Sequence, residues 1–70
     1  MPRFTAEFTS TALSRGSFLI ADGDDTGSLD ITFASGRSFT YENVPMSVWE
    51  GLRDAPSPGS YFHANIKDAY

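Results

Sequence analysis

Hydrophobic and polar positions alternate most cleanly where Leu29, Ile31 and Phe33 interleave with Ser28, Asp30, Thr32 and Ala34. That period of two predicts a strand with one face buried. Ahead of it, the run Ser17 to Asp22 has the length and composition of a strand and ends in Gly23-Asp24-Asp25-Thr26-Gly27, a dense set of turn residues. After it, Ala34-Ser35-Gly36-Arg37 supplies a turn, with Gly36 suited to positive φ, and Phe39 and Tyr41 resume the alternation. A β-hairpin follows from that pair. Phe4, Phe8 and Leu13, spaced by Ser and Thr, fit an edge strand or ordered arm over the first twelve residues.

The period then changes. Val44, Val48, Leu52 and Ala55 recur at helical spacing, and Pro45 suits the first helical position, so a helix is predicted over about 45–54, with Trp49 on the margin of its apolar stripe and Pro56 ending it. Gly51 weakens that helix by about 1 kcal/mol relative to Ala. Ser57 as N-cap and Pro58 after it start a second short helix carrying Tyr61, Phe62, Ile66 and Tyr70. The reading is an α+β fold: a small antiparallel β-meander of three strands, four if the first segment joins, followed by one or two short helices packed on one face. With no repeat, low-complexity tract or linker, residues 1–70 read as a single domain.

At 70 residues the core is thin, and with no cysteine and one histidine neither a disulfide nor a zinc site is available to staple it. Six Phe, three Tyr and one Trp must supply the buried area instead. No apolar run approaches the roughly 20 residues that cross a bilayer, and the first residues lack the apolar block of a secretory signal, so a cytoplasmic location is expected. A net charge of −4 opposes long-range attraction to nucleic acid or an anionic membrane.

Several residues in order, Leu29-x-Ile31-x-Phe33-x-x-Gly36, Phe39-x-Tyr41, Val44-Pro45-x-x-Val48-Trp49-x-x-Leu52, Ala55-x-Ser57-x-Gly59-x-Tyr61-Phe62 and Ile66-Lys67-x-x-Tyr70, resemble the KTSC domain over about 9–70. That family is a short module, alone in bacterial and phage proteins and also at the C-terminus of some lysyl-tRNA synthetases. The resemblance implies a small non-catalytic binding module, with RNA or tRNA binding suggested by the synthetase fusion. The family's Tyr-x-Tyr motif falls on Phe39-Thr40-Tyr41, so the first hydroxyl is missing here.

Candidate binding residues are Arg37, Phe39, Tyr41, Trp49, Tyr61 and Lys67. Phe39 and Tyr41 could stack on bases, although burying both rings in the hairpin face is the more economical use of scarce apolar area, leaving at most one exposed. Arg37 in the turn could reach a phosphate, while Asp54 and Asp68 blunt Arg53 and Lys67 and favour a plain solvated face. Trp49 and Tyr61 could anchor a protein interface or line the core margin.

The Asp22 to Gly27 stretch mimics the start of a calcium loop but has Phe33 where a bidentate Glu is required, so a turn is expected and no metal. His63 has no nucleophile motif around it and reads as a surface residue that could border a binding surface. No catalytic group and no cofactor are implied. The alternative to an RNA partner is an acidic protein-interaction module, such as a small bacterial or phage regulator docking on a basic surface of a larger machine, with Asp22 to Asp25 steering encounter.

Overall fold

Alternation makes the segment around Leu29, Ile31 and Phe33 a strand, and burial of that one face makes it the centre of the sheet. In the computed structural model, which describes residues 3–67 and 69–70, it is β3 (Thr26–Phe33), flanked by β2 (Leu13–Leu19) and β4 (Ser38–Pro45), with β1 (Arg3–Glu7) on the far side of β2. The four strands pair antiparallel in the order β1-β2-β3-β4, and α1 (Met46–Asp54) and α2 (Pro58–Asn65) follow. The first segment therefore joins the sheet as an edge strand, and both predicted helices form.

Two irregularities decide which residues face the helices. Between Leu13 and Arg15 the pairing with β3 slips by one residue, so that Leu13 and Gly16 both lie on the inner face. Opposite Gly27 and Leu29, β4 accommodates Glu42 and Asn43 against Ser28 alone, with Asn43 in the left-handed region at φ 59. This bulge turns both Tyr41 and Val44 inward, which strict alternation could not do. Val44 is fully buried as a strand residue and not as the start of a helical stripe.

Pro45 ends β4 and caps α1 with extended backbone, φ −66 and ψ 149. The helix consequently begins at Met46, one residue later than predicted. Trp49 and Leu52, three apart, point into the core. Trp49 is fully buried and stacks on Phe18, ring centroids 5.9 Å apart and planes within 6°. Gly16 makes room: a Cβ there would lie 3.1 Å from Cζ3 of Trp49. The indole Nε1 has no hydrogen-bond partner, a cost of roughly 1–3 kcal/mol that burial of the ring offsets. Trp49 thus occupies the centre of the core and not its margin.

Ser57 caps α2 and Pro58 begins it, as predicted, but the Ser57 hydroxyl donates to Ser60 Oγ (3.0 Å) and not to the backbone. Phe62 and Ile66 complete a core that also contains Leu13, Phe18, Ile20, Leu29, Ile31, Val44, Trp49 and Leu52. The helices cross closely because Gly51 lies beneath the Tyr61 hydroxyl, which a Cβ would overlap. The other face of the sheet carries hydroxyls and charges linked across strands, Ser28 to Glu42 (2.8 Å), Thr40 to Asp30 (2.6 Å) and Thr32 to Ser38 (3.1 Å).

A candidate aromatic surface beside the hairpin turn

The β3–β4 turn closes when the Phe33 N–H donates to the Arg37 carbonyl (2.7 Å) and the Gly36 N–H to the Phe33 carbonyl (2.9 Å), with Gly36 at φ 97. Only glycine takes that conformation readily. Because Ile31 pairs with Phe39 and Leu29 with Tyr41, both rings lie on the inner face of β4, and Arg37 stands in the turn just before that strand. The three do not share a fate. Tyr41 is half-buried, whereas Phe39 is 47% exposed and Arg37 is exposed. The economical burial of both rings is not what the fold does: Phe62 of α2 covers Phe33 and Tyr41, and the Phe39 ring is left half open.

Phe39 is nonetheless held. Its ring meets Phe33 edge to face at 5.5 Å, Phe33 meets Phe62 at 5.3 Å, Phe62 meets Tyr41 at 5.7 Å and His63 at 5.8 Å, all near perpendicular. Such contacts each add about 0.5–1.5 kcal/mol beyond buried area, so the outermost ring stands on a braced column. His63 is exposed on α2, where a surface histidine was expected. The backbone N–H of Lys67 donates to the Phe62 carbonyl (2.8 Å), which sets this exposed lysine just after the helix that carries the column.

Of the six predicted residues, the fold puts Phe39 and Tyr41 on one face of β4 with Arg37 in the turn just before it. Tyr61 is half-buried against Gly51 at the helix crossing. Trp49 takes the core alternative of its two readings and presents no surface, because its position three before Leu52 points it at Phe18. Phe33 and Phe62, which brace the site, were read from the sequence only as core residues. Their signal was there in the strict alternation ending at Phe33 and in the Tyr61-Phe62 pair.

Charge is divided along the sheet. Arg37 and, on the outer face, Arg15 opposite Thr32 lie at the hairpin end. Asp22, Asp24 and Asp25 lie at the other end in the β2–β3 turn, closed by the Asp24 N–H donating to the Ala21 carbonyl (3.0 Å) with Gly23 at φ 85. That end also holds an open cavity of about 210 Å³ bordered by Asp24, Thr26, Ser28, Glu42 and Asn43, whose carboxylates repel a phosphate. Arg53 forms an ion pair with Asp54 (2.9 Å) between exposed side chains. The hydrogen bond from Arg53 holds the Asp54 carboxyl below the usual carboxylate range, and the same bond raises Arg53. Arg53 is thereby neutralised locally, whereas Arg37 has no acidic neighbour in sequence.

The model of the KTSC domain matches residues 23–70. The chain belongs to the KTSC family. The matched stretch starts in the β2–β3 turn and runs through both helices, so it contains the whole aromatic column and leaves β1 and β2 outside. Lysine tRNA ligases from Nostoc sp. and Trichormus variabilis are each 44% identical to this chain over 45 residues, 64% of its length. The similarity spans 8% of those curated relatives, the scale of an accessory module within a much larger protein. No helix among the described residues is long and apolar enough to cross a membrane.

Proposed function

We propose that this KTSC domain is a non-catalytic accessory module that takes single-stranded RNA, tRNA foremost, on Phe39 with Arg37 beside it. The observation that carries the reading is the open Phe39 ring on the inner face, braced from behind by Phe33 and two residues after the exposed Arg37 of the turn. A base stacked on such a ring gains about 1–3 kcal/mol whatever its identity, and a neighbouring guanidinium can hold the adjoining phosphate. Tyr41 is set deeper, against Phe62 of α2, and His63 and Lys67 are exposed on and just after that helix. The name of the relatives, lysine tRNA ligase, supports a tRNA setting and hence a cytoplasmic one.

The acidic net charge weakens the long-range attraction, although Asp22, Asp24, Asp25 and Glu42 lie at the other end of the sheet. Reading residues 1–70 as one domain is supported by Phe18, which precedes the matched stretch and stacks on Trp49 within it. The acidic β2–β3 turn favours a second reading, a protein module docking on a basic surface through Asp22, Asp24 and Asp25.

The test is an NMR shift titration of the labelled domain with single-stranded RNA and with tRNA at low salt. Saturable shifts on Arg37, Phe39, Tyr41 and His63 that weaken as salt rises are expected. Shifts at the β2–β3 turn with a basic protein, and none with RNA, would replace this reading by the second.

A further inference from the structure

The sheet has two open edges, and they differ. β4 is guarded: its bulge at Glu42 and Asn43 interrupts the pairing row, and Pro45 ends it. Natural sheets use bulges and prolines in this way to stop edge-to-edge association. β1 carries neither over Arg3–Glu7, and it pairs with β2 without a slip from Arg3↔Leu19 to Glu7↔Arg15.

The hydrogen-bonding parity of β1 follows from one bond. The Phe8 N–H donates to the Ser14 carbonyl (2.9 Å), so Phe8, and two and four residues back Ala6 and Phe4, face β2 with their backbone groups. The N–H and C=O groups of Arg3, Thr5 and Glu7 therefore point outward along the free edge. Those same residues share the outer face, and Phe4 and Ala6 share the inner one. Phe4 is 39% exposed.

From this we infer that β1 pairs antiparallel with β1 of a second copy about a two-fold axis at Thr5. In that register Thr5 meets its own counterpart in a hydrogen-bonded pair, and Arg3 meets Glu7 of the other copy, once on each side of the axis. The arrangement is isologous, as a two-fold interface must be. The charge match selects a second copy of this chain over an arbitrary strand, because an edge reading Arg-x-x-x-Glu is complementary to itself only when reversed. Glu7 already lies opposite Arg15 on β2, and Arg3 approaches Ser17 Oγ only at 3.5 Å, so the new pairs extend an alternating row.

On the inner face Phe4 meets Ala6 of the other copy in a non-hydrogen-bonded pair, the closer kind, which covers its ring. The result is one eight-stranded sheet with the two Phe39 surfaces at its outer edges, roughly 30 Å apart at the usual strand spacing. The inference is independent of the RNA reading.

Sedimentation of the full chain over a wide concentration range tests it. A monomer–dimer equilibrium is expected, and Arg3→Glu alone or Glu7→Arg alone should weaken it about tenfold or more, since each sets like charges opposite twice. Mixing those two variants should produce a mixed dimer with roughly the parent affinity, because one copy then presents two acids and the other two bases. Thr5→Pro should be monomeric with its β2–β4 amide signals unchanged, the lost N–H being one that β2 does not use. The charge variants leave every β1–β2 backbone hydrogen bond in place, Arg3→Glu giving up only the side-chain bond to Ser17 and Glu7→Arg the attraction to Arg15, and recovery in the mixed dimer decides the matter independently of the proline. A monomer at every concentration, or a dimer indifferent to both reversals, overturns the inference.

Discussion

Trp49 on α1 and Phe39 on the inner face of β4 are both large aromatic rings, yet the fold uses them in opposite ways. Trp49 is fully buried, stacked flat on Phe18 over a glycine that clears its space. Phe39 is almost half open and is touched at its edge by Phe33. In a domain with this little core, apolar area left in water forfeits about 25 cal/mol per Å². The difference separates rings that hold the fold from a ring that is free to hold something else, and the substitutions below probe that separation from its strongest to its weakest point.

Trp49→Ala should have the largest effect. It empties the middle of the core and should cost about 3–5 kcal/mol, most of the stability a chain this short commands, so a broad or absent unfolding transition in urea is expected. Retention of a cooperative transition close to that of the parent would remove Trp49 from the structural side of the comparison. Gly51→Ala comes next. Propensity alone would favour alanine by about 1 kcal/mol, but the new Cβ overlaps the Tyr61 hydroxyl, so a net loss of about 1–3 kcal/mol is expected in the same unfolding assay. A gain in stability would mean that the helix crossing is looser than the packing indicates.

Asp54→Asn should do least. The Asp54 carboxyl is held low by its hydrogen bond from Arg53, so any contribution is complete above the ordinary carboxylate range and is lost as pH falls through the lowered value. Both side chains are exposed, 43% and 68%, and such pairs are screened by salt. Thermal melts of parent and variant should superimpose at neutral pH in moderate salt, and a clear difference would point to a coupling beyond this pair.

The sequence carried the sheet-then-helix order, the hairpin at Gly36, the second helix cap at Ser57-Pro58 and the family. Each rests on local chemistry: alternation, a left-handed glycine, a capping serine. It also raised the fourth strand as an option that the edge position of β1 settles. What local pattern could not supply is register. Ser17 to Asp22 read as the strand because it is the apolar part, whereas β2 runs Leu13–Leu19, its Ser14-Arg15 portion being polar because of the slip there and the outward face.

Val44 fell into the helical stripe because an asparagine only permits the left-handed region, and the local pattern does not show that Asn43 takes it and bulges the strand. With Val44 and Pro45 removed from the helix, Trp49 moves from margin to centre. The candidate site shared this limit. Arg37, Phe39 and Tyr41 were visible as a period-two line, but which ring the helices leave uncovered depends on where α2 ends against β4, a tertiary fact.

The most direct test measures one variant twice. Phe39→Ala should keep the fold and lose only about 1 kcal/mol of unfolding free energy, as befits a ring half in water. Its affinity for single-stranded RNA should fall about tenfold or more, the loss of one stacked base. A collapse in stability like that of Trp49→Ala, or RNA binding unchanged from the parent, would contradict the claim that Phe39 is held open for a ligand.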